Sequence, residues 1–204
     1  MATKTASIDE LVAELSNARS AKRRAAAKSL RKLGDPIAGP AIEEALRREV
    51  QDPRTWETQY QMIMALGECR YEPSVPLLLD LSTRKLEHMV YVAIGDALVR
   101  LSADPEKELL RILSTGKPAL AEGALRAVAV LHLGLSTEGI ESVIAHVAKP
   151  ENEQLRFWVA AAAPGWDDPR VQMFLHDCSQ SGRKETREAA QAALEKKYLR
   201  WNPL

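Results

Sequence analysis

The stretch KRRAAAKSLRKLGDP, residues 22–36, decides the fold of this chain because its pattern returns later in the sequence. Residues 155–162 read LRFWVAAA and precede an Asp-Pro pair at position 168, just as the alanines of the first stretch precede one at position 35. The two pairs lie 133 residues apart, which is four periods of about 33 residues. Self-similarity at such a period is typical of a solenoid. The sequence therefore predicts stacked repeat units.

The start of the chain shows how one unit is built. Ser7, followed three residues later by Glu10, forms a capping-box pattern and opens a helix predicted over 8–17. A second helix is predicted over 20–33 and ends at Gly34, since glycine readily adopts the left-handed conformation that closes helices. The next unit begins with an Asp-Pro pair, in which aspartate caps a helix and proline fits its first turn. One unit is therefore a helix pair.

The same two-helix cycle continues along the chain. We predict six pairs in a single all-α domain, 1–204, with approximate units 7–34, 35–67, 72–102, 104–134, 136–166 and 167–198 and an apolar tail at 199–204. Predicted helices in the later units run over 86–101, 137–148, 151–163, 168–180 and 183–198. A further predicted helix starts at Lys117-Pro118 and ends at Leu133-Gly134. Each unit in such an array touches only its neighbours. The tail either folds back on the last unit or docks elsewhere.

Charge is balanced overall but not along the chain. The 204 residues include 28 Lys or Arg and 28 Asp or Glu, so the formal net charge is zero. Nucleic-acid binders are usually basic, and this balance disfavours that class. Residues 1–33 nevertheless hold eight basic and three acidic residues. The sequence therefore predicts one basic end on an otherwise mildly acidic protein.

The cysteines and the apolar runs indicate a cellular compartment. Cys69 and Cys178 fall in different predicted units, which favours free thiols and a reducing environment. The first ten residues lack the apolar core of a signal peptide. No apolar run reaches the roughly 18 residues that a membrane-spanning helix needs. We therefore expect a cytoplasmic protein.

The repeat pattern resembles HEAT repeats, and specifically the short bacterial form found in phycobilisome-lyase-type proteins. The residues that carry this resemblance in the first two units are Arg23, Ala26, Ala27, Leu30, Leu33, Gly34, Asp35, Pro36, Ala38, Pro40 and Leu46. The fifth and sixth units repeat parts of the pattern around Arg156 and Arg187. In the middle units, Trp56, Tyr91 and Gly123 stand where the family has its arginine.

This resemblance implies a right-handed α-solenoid of about six two-helix HEAT-like repeats. Alanines on the second helix of each pair would let neighbouring units approach closely. An arginine near the start of that helix would bond carbonyl groups or an acid of the adjoining loops and so link successive units. The second helices would line a concave side, which is the usual docking surface of such proteins.

Motifs for catalysis or metal binding are missing from the sequence. The histidines fall in separate units, at His88, His132, His146 and His176, and no Cys or His cluster has zinc-ligand spacing. Neither a nucleophile elbow nor a phosphate-binding glycine loop occurs. Asp168 of the acidic pair Asp167-Asp168 is expected to cap a helix. We therefore predict a protein that is not an enzyme and holds neither a metal nor a cofactor.

The basic helix near the start is the first candidate binding feature. Arg24, Lys28 and Lys32 follow one another at intervals of four residues and so share one helical face. The family pattern places that face toward the concave side. One interpretation is the solvated flank of a terminal unit, because end units must stay soluble. The other is a contact for an anion or an acidic partner.

Aromatic and mixed polar residues complete the predicted groove. Phe157 and Trp158 follow Arg156 and are either core residues or binding anchors, since Trp and Arg dominate binding hot spots. The same frame places further residues on this side, namely Glu57, Gln61, Met89, Val92 and Asp96. Such a mixed groove suits a protein segment better than a phosphate backbone.

Three functions are compatible with these features. The first is a non-enzymatic scaffold or adaptor that grips a partner protein in the groove lined by the second helices. The second follows from the resemblance and is a bilin lyase-related chaperone or lyase subunit that handles a tetrapyrrole. The third is a HEAT-like DNA-repair glycosylase, for which Trp158, Trp166 and Asp167 are a loose fit. The zero net charge argues against the third, and we expect the first.

Overall fold

The computed structural model of the chain describes residues 6–199. Twelve α-helices and no strand occur in this range. The helices are α1 Ile8–Glu14, α2 Ser20–Leu33, α3 Gly39–Glu49, α4 Trp56–Glu68, α5 Val75–Thr83, α6 His88–Leu101, α7 Pro105–Ser114, α8 Pro118–Leu131, α9 Thr137–Val147, α10 Arg156–Ala162, α11 Pro169–Cys178 and α12 Lys184–Leu194. They form two compact units that divide between Ala103 and Asp104.

Unit 1 contains α1–α6, packed as three sequential pairs. The second helices of these pairs, α2, α4 and α6, also pack side by side. Helices α4 and α6 approach closely at Gly67, where an added Cβ would lie 3.1 Å from the Cα of Ala97. Small residues between second helices therefore set the spacing of the units, as the sequence predicts.

Unit 2 contains α7–α12 and repeats this arrangement. Its pairs are α7 with α8, α9 with α10, and α11 with α12, and α10 packs between α8 and α12. The alanine run at 160–163 is buried, at no more than 3% exposure for any residue. The six predicted helix pairs and the all-α class are confirmed.

The Asp-Pro pairs of unit 1 do not open α-helices directly. The carboxylates of Asp35 and Asp52 each accept a hydrogen bond of 3.0 Å from the backbone N–H two residues later. These bonds close 3₁₀ turns over Pro36–Ala38 and Pro53–Thr55. Helices α3 and α4 therefore begin about one turn later than the sequence pattern indicates.

Other predicted helix limits are wrong as well. Helix α1 ends at Glu14 rather than at residue 17. Helix α8 ends at Leu131 because His132, rather than Gly134, adopts the left-handed conformation with a φ of 53°. The segment predicted as one helix over 151–163 begins with a 3₁₀ stretch and becomes α-helical only at Arg156. Helix α12 ends at Leu194, close to Lys196, which also has a positive φ of 55°.

The remaining features of the described residues concern helix length, the cysteines and the end of the described range. No helix there is both long enough and apolar enough to cross a membrane. Cys69 and Cys178 are buried free thiols, as predicted. The ring of Tyr198 stacks on that of His132 at a centroid distance of 3.6 Å. Residues 200–204 of the predicted tail lie outside the described range.

Candidate functional site

Helix α2 presents a row of basic residues on its exposed side. Lys22, Lys28 and Lys32 are exposed, and the side chain of Arg24 is 40% exposed. The helix contains no acidic residue, and its other side packs against α4. We call Lys22, Arg24, Lys28 and Lys32 the α2 basic face. The predicted grouping of Arg24, Lys28 and Lys32 is thus present on one accessible surface.

Two predicted site residues meet at the start of this face. The guanidinium of Arg24 forms an ion pair with the carboxylate of Glu57, whose side chain is 53% exposed, at the beginning of α4. Lys28 and Lys32 lie further along α2, and no carboxylate among the described side chains is within ion-pair distance of their ammonium groups or of that of Lys22. The three lysines are therefore the part of the α2 basic face whose charge the described side chains do not neutralise locally.

The predicted groove does not extend over α4 and α6 as an open surface. Gln61 on α4 is 8% exposed, and its side-chain oxygen accepts a hydrogen bond of 3.4 Å from Arg31. Val92 and Asp96 on α6 are 2% and 0% exposed. These three residues belong to the interior and are not accessible to a partner, because both helices are covered on nearly all sides. Met89, nearer the start of α6, is half-buried.

Phe157 and Trp158 lie in unit 2 at the beginning of α10. Both side chains are half-buried, and their rings meet edge to face with centroids 4.9 Å apart. Each also has further contacts in the structure. They are therefore neither fully buried core residues nor freely exposed anchors, and their role in binding stays a prediction.

Arginines near the start of second helices bond carbonyl groups, as the resemblance implies. Arg23, the fourth residue of α2, donates a hydrogen bond of 2.8 Å to the carbonyl oxygen of Asn17. Arg187, the fourth residue of α12, donates one of 2.7 Å to the carbonyl oxygen of Ser181. Each bond fixes the turn before the helix to the helix itself. Arg23 additionally binds the carboxylate of Glu49 at the end of the following first helix.

Two middle units keep this bond with other residue types. Gln59, the fourth residue of α4, donates a hydrogen bond of 2.9 Å to the carbonyl oxygen of Asp52. Tyr91, the fourth residue of α6, donates one from its hydroxyl group to the carbonyl oxygen of Arg84. The family pattern places Trp56, rather than Gln59, at this position. We call Arg23, Gln59, Tyr91 and Arg187 the carbonyl anchors.

The acidic residues of the pair Asp167-Asp168 have different environments. Asp167 is exposed, whereas Asp168 caps α11 by accepting a hydrogen bond of 2.8 Å from the backbone N–H of Arg170. The guanidinium of Arg170 also binds both carboxylate oxygens of Asp168, at 2.9 and 2.8 Å. These bonds lower the pKa of Asp168 to about 2. The predicted capping role of Asp168 is confirmed.

This lowered pKa predicts a pH-dependent contribution of Asp168 to stability. A carboxylate with a lower pKa in the folded than in the unfolded chain stabilises the fold above the unfolded value of about 4, and this contribution disappears as the pH falls toward about 2. We expect Asp168→Asn to lower the melting temperature by a few degrees at pH 7 and to have little effect near pH 2. Arg170→Gln should produce the same pH profile, measured by circular dichroism. A difference that is constant with pH would contradict this assignment.

The described residues offer little for covalent or metal chemistry. No group of three His, Cys, Asp or Glu side chains in the described part of the chain could hold a metal ion. Burial raises the pKa of the Cys69 thiol to about 11, and burial also raises that of Cys178. Both thiols are therefore poor nucleophiles at neutral pH.

Comparison with known proteins agrees with the repeat architecture. Residues 22–48 match the family model of the PBS lyase HEAT-like repeat. This segment includes most of α2, the turn after it and nearly all of α3. This segment is similar to one HEAT-like repeat, and the six sequential helix pairs are consistent with an array of such repeats.

The other comparisons concern solved structures and curated protein sequences. A crystal structure of an engineered protein from the Northeast Structural Genomics Consortium is similar to this chain, with 18% sequence identity and a TM-score of 0.45. The similarity covers 93% of this chain and 95% of that one. No curated protein sequence matches the chain.

Proposed function

We propose that this HEAT-like repeat protein is a non-enzymatic scaffold of the cytoplasm, and that its α2 basic face binds an acidic segment of a partner protein. The observation that carries the proposal is the row of exposed lysines on a helix without any acidic residue. Free buried thiols support the compartment, because reduced cysteines are usual in the cytoplasm.

The shape of the α2 basic face suits a peptide segment. Ala21 and Ala25 are exposed between the basic residues, so the helix surface is shallow there and a partner backbone can approach closely. Lys28 and Lys32 stand one helical turn apart, about 6 Å along the helix. This spacing matches acidic side chains two residues apart on an extended partner strand, which are separated by about 7 Å. Complementary charge would then steer association and set specificity.

Charge reversal on α2 should separate partner binding from folding. We expect Lys28→Glu with Lys32→Glu to weaken binding of the partner at least about tenfold, because two attractive charges become repulsive. The melting temperature should change little, since both side chains are exposed and Lys32, in the last helical turn, contributes less than about 1 kcal/mol through its charge. Affinity capture followed by titration of the captured protein measures the effect.

The matched control is Lys107→Glu with Lys184→Glu, which makes the same change in net charge at exposed positions of unit 2. A partner that wild type and control bind equally, and that the α2 variant does not bind, supports the proposal. Equal binding to all three proteins contradicts a role for the α2 basic face. A bilin or nucleic acid bound in place of a protein would contradict the scaffold function itself.

A further inference from the structure

Unit 2 contains a cavity of about 470 Å³ between α7, α9 and the beginning of α8. Its apolar lining includes Leu110, Leu113 and Ala121, and its polar lining includes Ser114, Ser142 and Asn152. Pockets that bind small molecules commonly have volumes of about 300 to 1,000 Å³ and combine an apolar floor with a few polar groups. The cavity therefore has the size and the lining of a small-molecule site.

The charged side chains in the described lining of this cavity are basic. Lys117 and Lys149 line it together with His146, and none of its described lining residues is acidic. Lys149 is exposed, and no carboxylate among the described side chains lies within ion-pair distance of its ammonium group. Two lysines facing one cavity favour an anion with two negative charges, such as a phosphate monoester.

The uncharged polar groups of the cavity offer mainly acceptor oxygens. The hydroxyl of Ser114 already donates its hydrogen to the carbonyl oxygen of Arg111 at 2.7 Å, and that of Ser142 donates to the carbonyl oxygen of Glu138 at 2.8 Å. The amide nitrogen of Asn152 donates to the carbonyl oxygen of His146 at 2.9 Å. What these side chains have left are oxygen lone pairs and the second amide hydrogen of Asn152, and the lone pairs can accept hydrogen bonds from hydroxyl groups of a ligand.

We propose that this cavity binds a small phosphorylated polyol, with the phosphate between Lys117 and Lys149. The hydroxyl groups of the ligand donate to Ser114, Ser142 and Asn152, and its carbon skeleton lies on the apolar floor. No side chain among the described residues caps the first turn of α8, so the positive end of this helix adds to the attraction for phosphate. The site belongs to unit 2 and does not depend on the α2 basic face.

The test is calorimetric titration of the full chain with glucose 6-phosphate, with glucose as the uncharged counterpart and sulfate at equal ionic strength as the simple anion. We expect saturable binding of glucose 6-phosphate with a dissociation constant of about 1 mM or lower and no measurable binding of glucose. Lys117→Gln with Lys149→Gln should weaken the binding at least about tenfold. The control Lys107→Gln with Lys184→Gln, which removes two exposed charges of unit 2 outside the cavity, should not.

Three binding results would overturn the proposal, and the melting temperatures of the variants serve as the folding control. Binding of sulfate as tight as that of glucose 6-phosphate would show a non-specific anion site. Equal loss of affinity in both lysine variants would show an effect of overall charge rather than of the cavity. Absence of saturable binding by glucose 6-phosphate would exclude a phosphorylated polyol of this size. Wild-type melting temperatures for both variants would show that any loss of binding is not a loss of folding.

Discussion

Replacing Arg23 by alanine should lower the free energy of unfolding by about 3 to 5 kcal/mol. Its guanidinium binds both carboxylate oxygens of Glu49, at 2.6 and 2.8 Å, and the Glu49 side chain is only 3% exposed. Removing one partner of a buried ion pair leaves the other charge uncompensated, and such a loss destabilises a protein by about 3 to 5 kcal/mol. The carbonyl oxygen of Asn17 would lose its donor as well. Urea denaturation measures the change.

The matched control is Arg54→Ala. Arg54 also binds a carboxylate, that of Asp52, but its side chain is 87% exposed, and such exposed surface pairs contribute little to stability. The double variant Arg23→Met with Glu49→Leu should recover much of the lost stability, because it removes both charges together. An Arg23→Ala variant no less stable than Arg54→Ala would show that the ion pair between Arg23 on α2 and Glu49 on α3 does not stabilise unit 1.

The second large effect is expected for Asp96→Ala, which should lower the free energy of unfolding by about 3 kcal/mol. The carboxylate of Asp96 is 0% exposed and accepts a hydrogen bond of 2.5 Å from Arg100, whose side chain is 6% exposed. Arg100 also binds Glu68 at 3.2 Å, but one of its terminal nitrogens is buried without a described partner. Loss of Asp96 would leave this buried cation with one weak ion pair. Thermal and urea unfolding measure the loss.

This variant also distinguishes the two roles that Asp96 could have. The sequence placed Asp96 in the binding groove, and the structure places it in the interior. We therefore expect Asp96→Ala to lose stability while retaining partner affinity at temperatures where it is folded. Arg48→Ala, which breaks an exposed pair with Glu44 on α3, should change stability by no more than about 0.5 kcal/mol. Wild-type stability of Asp96→Ala would contradict the buried network.

The helix pairs could be predicted because their signals are local. Capping residues, prolines in first turns and the residue that ends α2 lie next to one another in sequence, and each acts within one helical turn. Gly34 ends α2 with a φ of 62°, as its residue type indicates. At the helix limits that were predicted wrongly, a neighbouring residue or turn begins or ends the helix instead. His132 closes α8 before Gly134 is reached, and an aspartate–backbone bond inserts a 3₁₀ turn before α3.

The binding surface could be predicted only in part, because exposure depends on neighbouring helices. The lysines of α2 are exposed because that helix has an uncovered side. Helix α6 is packed on nearly every side, so its sequence lacks a clear polar face, and the frame of the repeat wrongly placed Val92 at the surface. The cavity of unit 2 combines residues from three helices and the loops beside them, so no local sequence motif indicates it.

The carbonyl anchors have a consequence for how such repeats diverge. Four second helices fix the preceding turn from the same position, yet they do so with arginine, glutamine and tyrosine. Geometry at this position selects a long side chain that can donate a hydrogen bond, not one particular amino acid. A repeat can therefore drift away from its family's consensus without changing its architecture. Searches that score hydrogen-bond donors as one class at this position should detect degenerate repeats that residue-based profiles overlook.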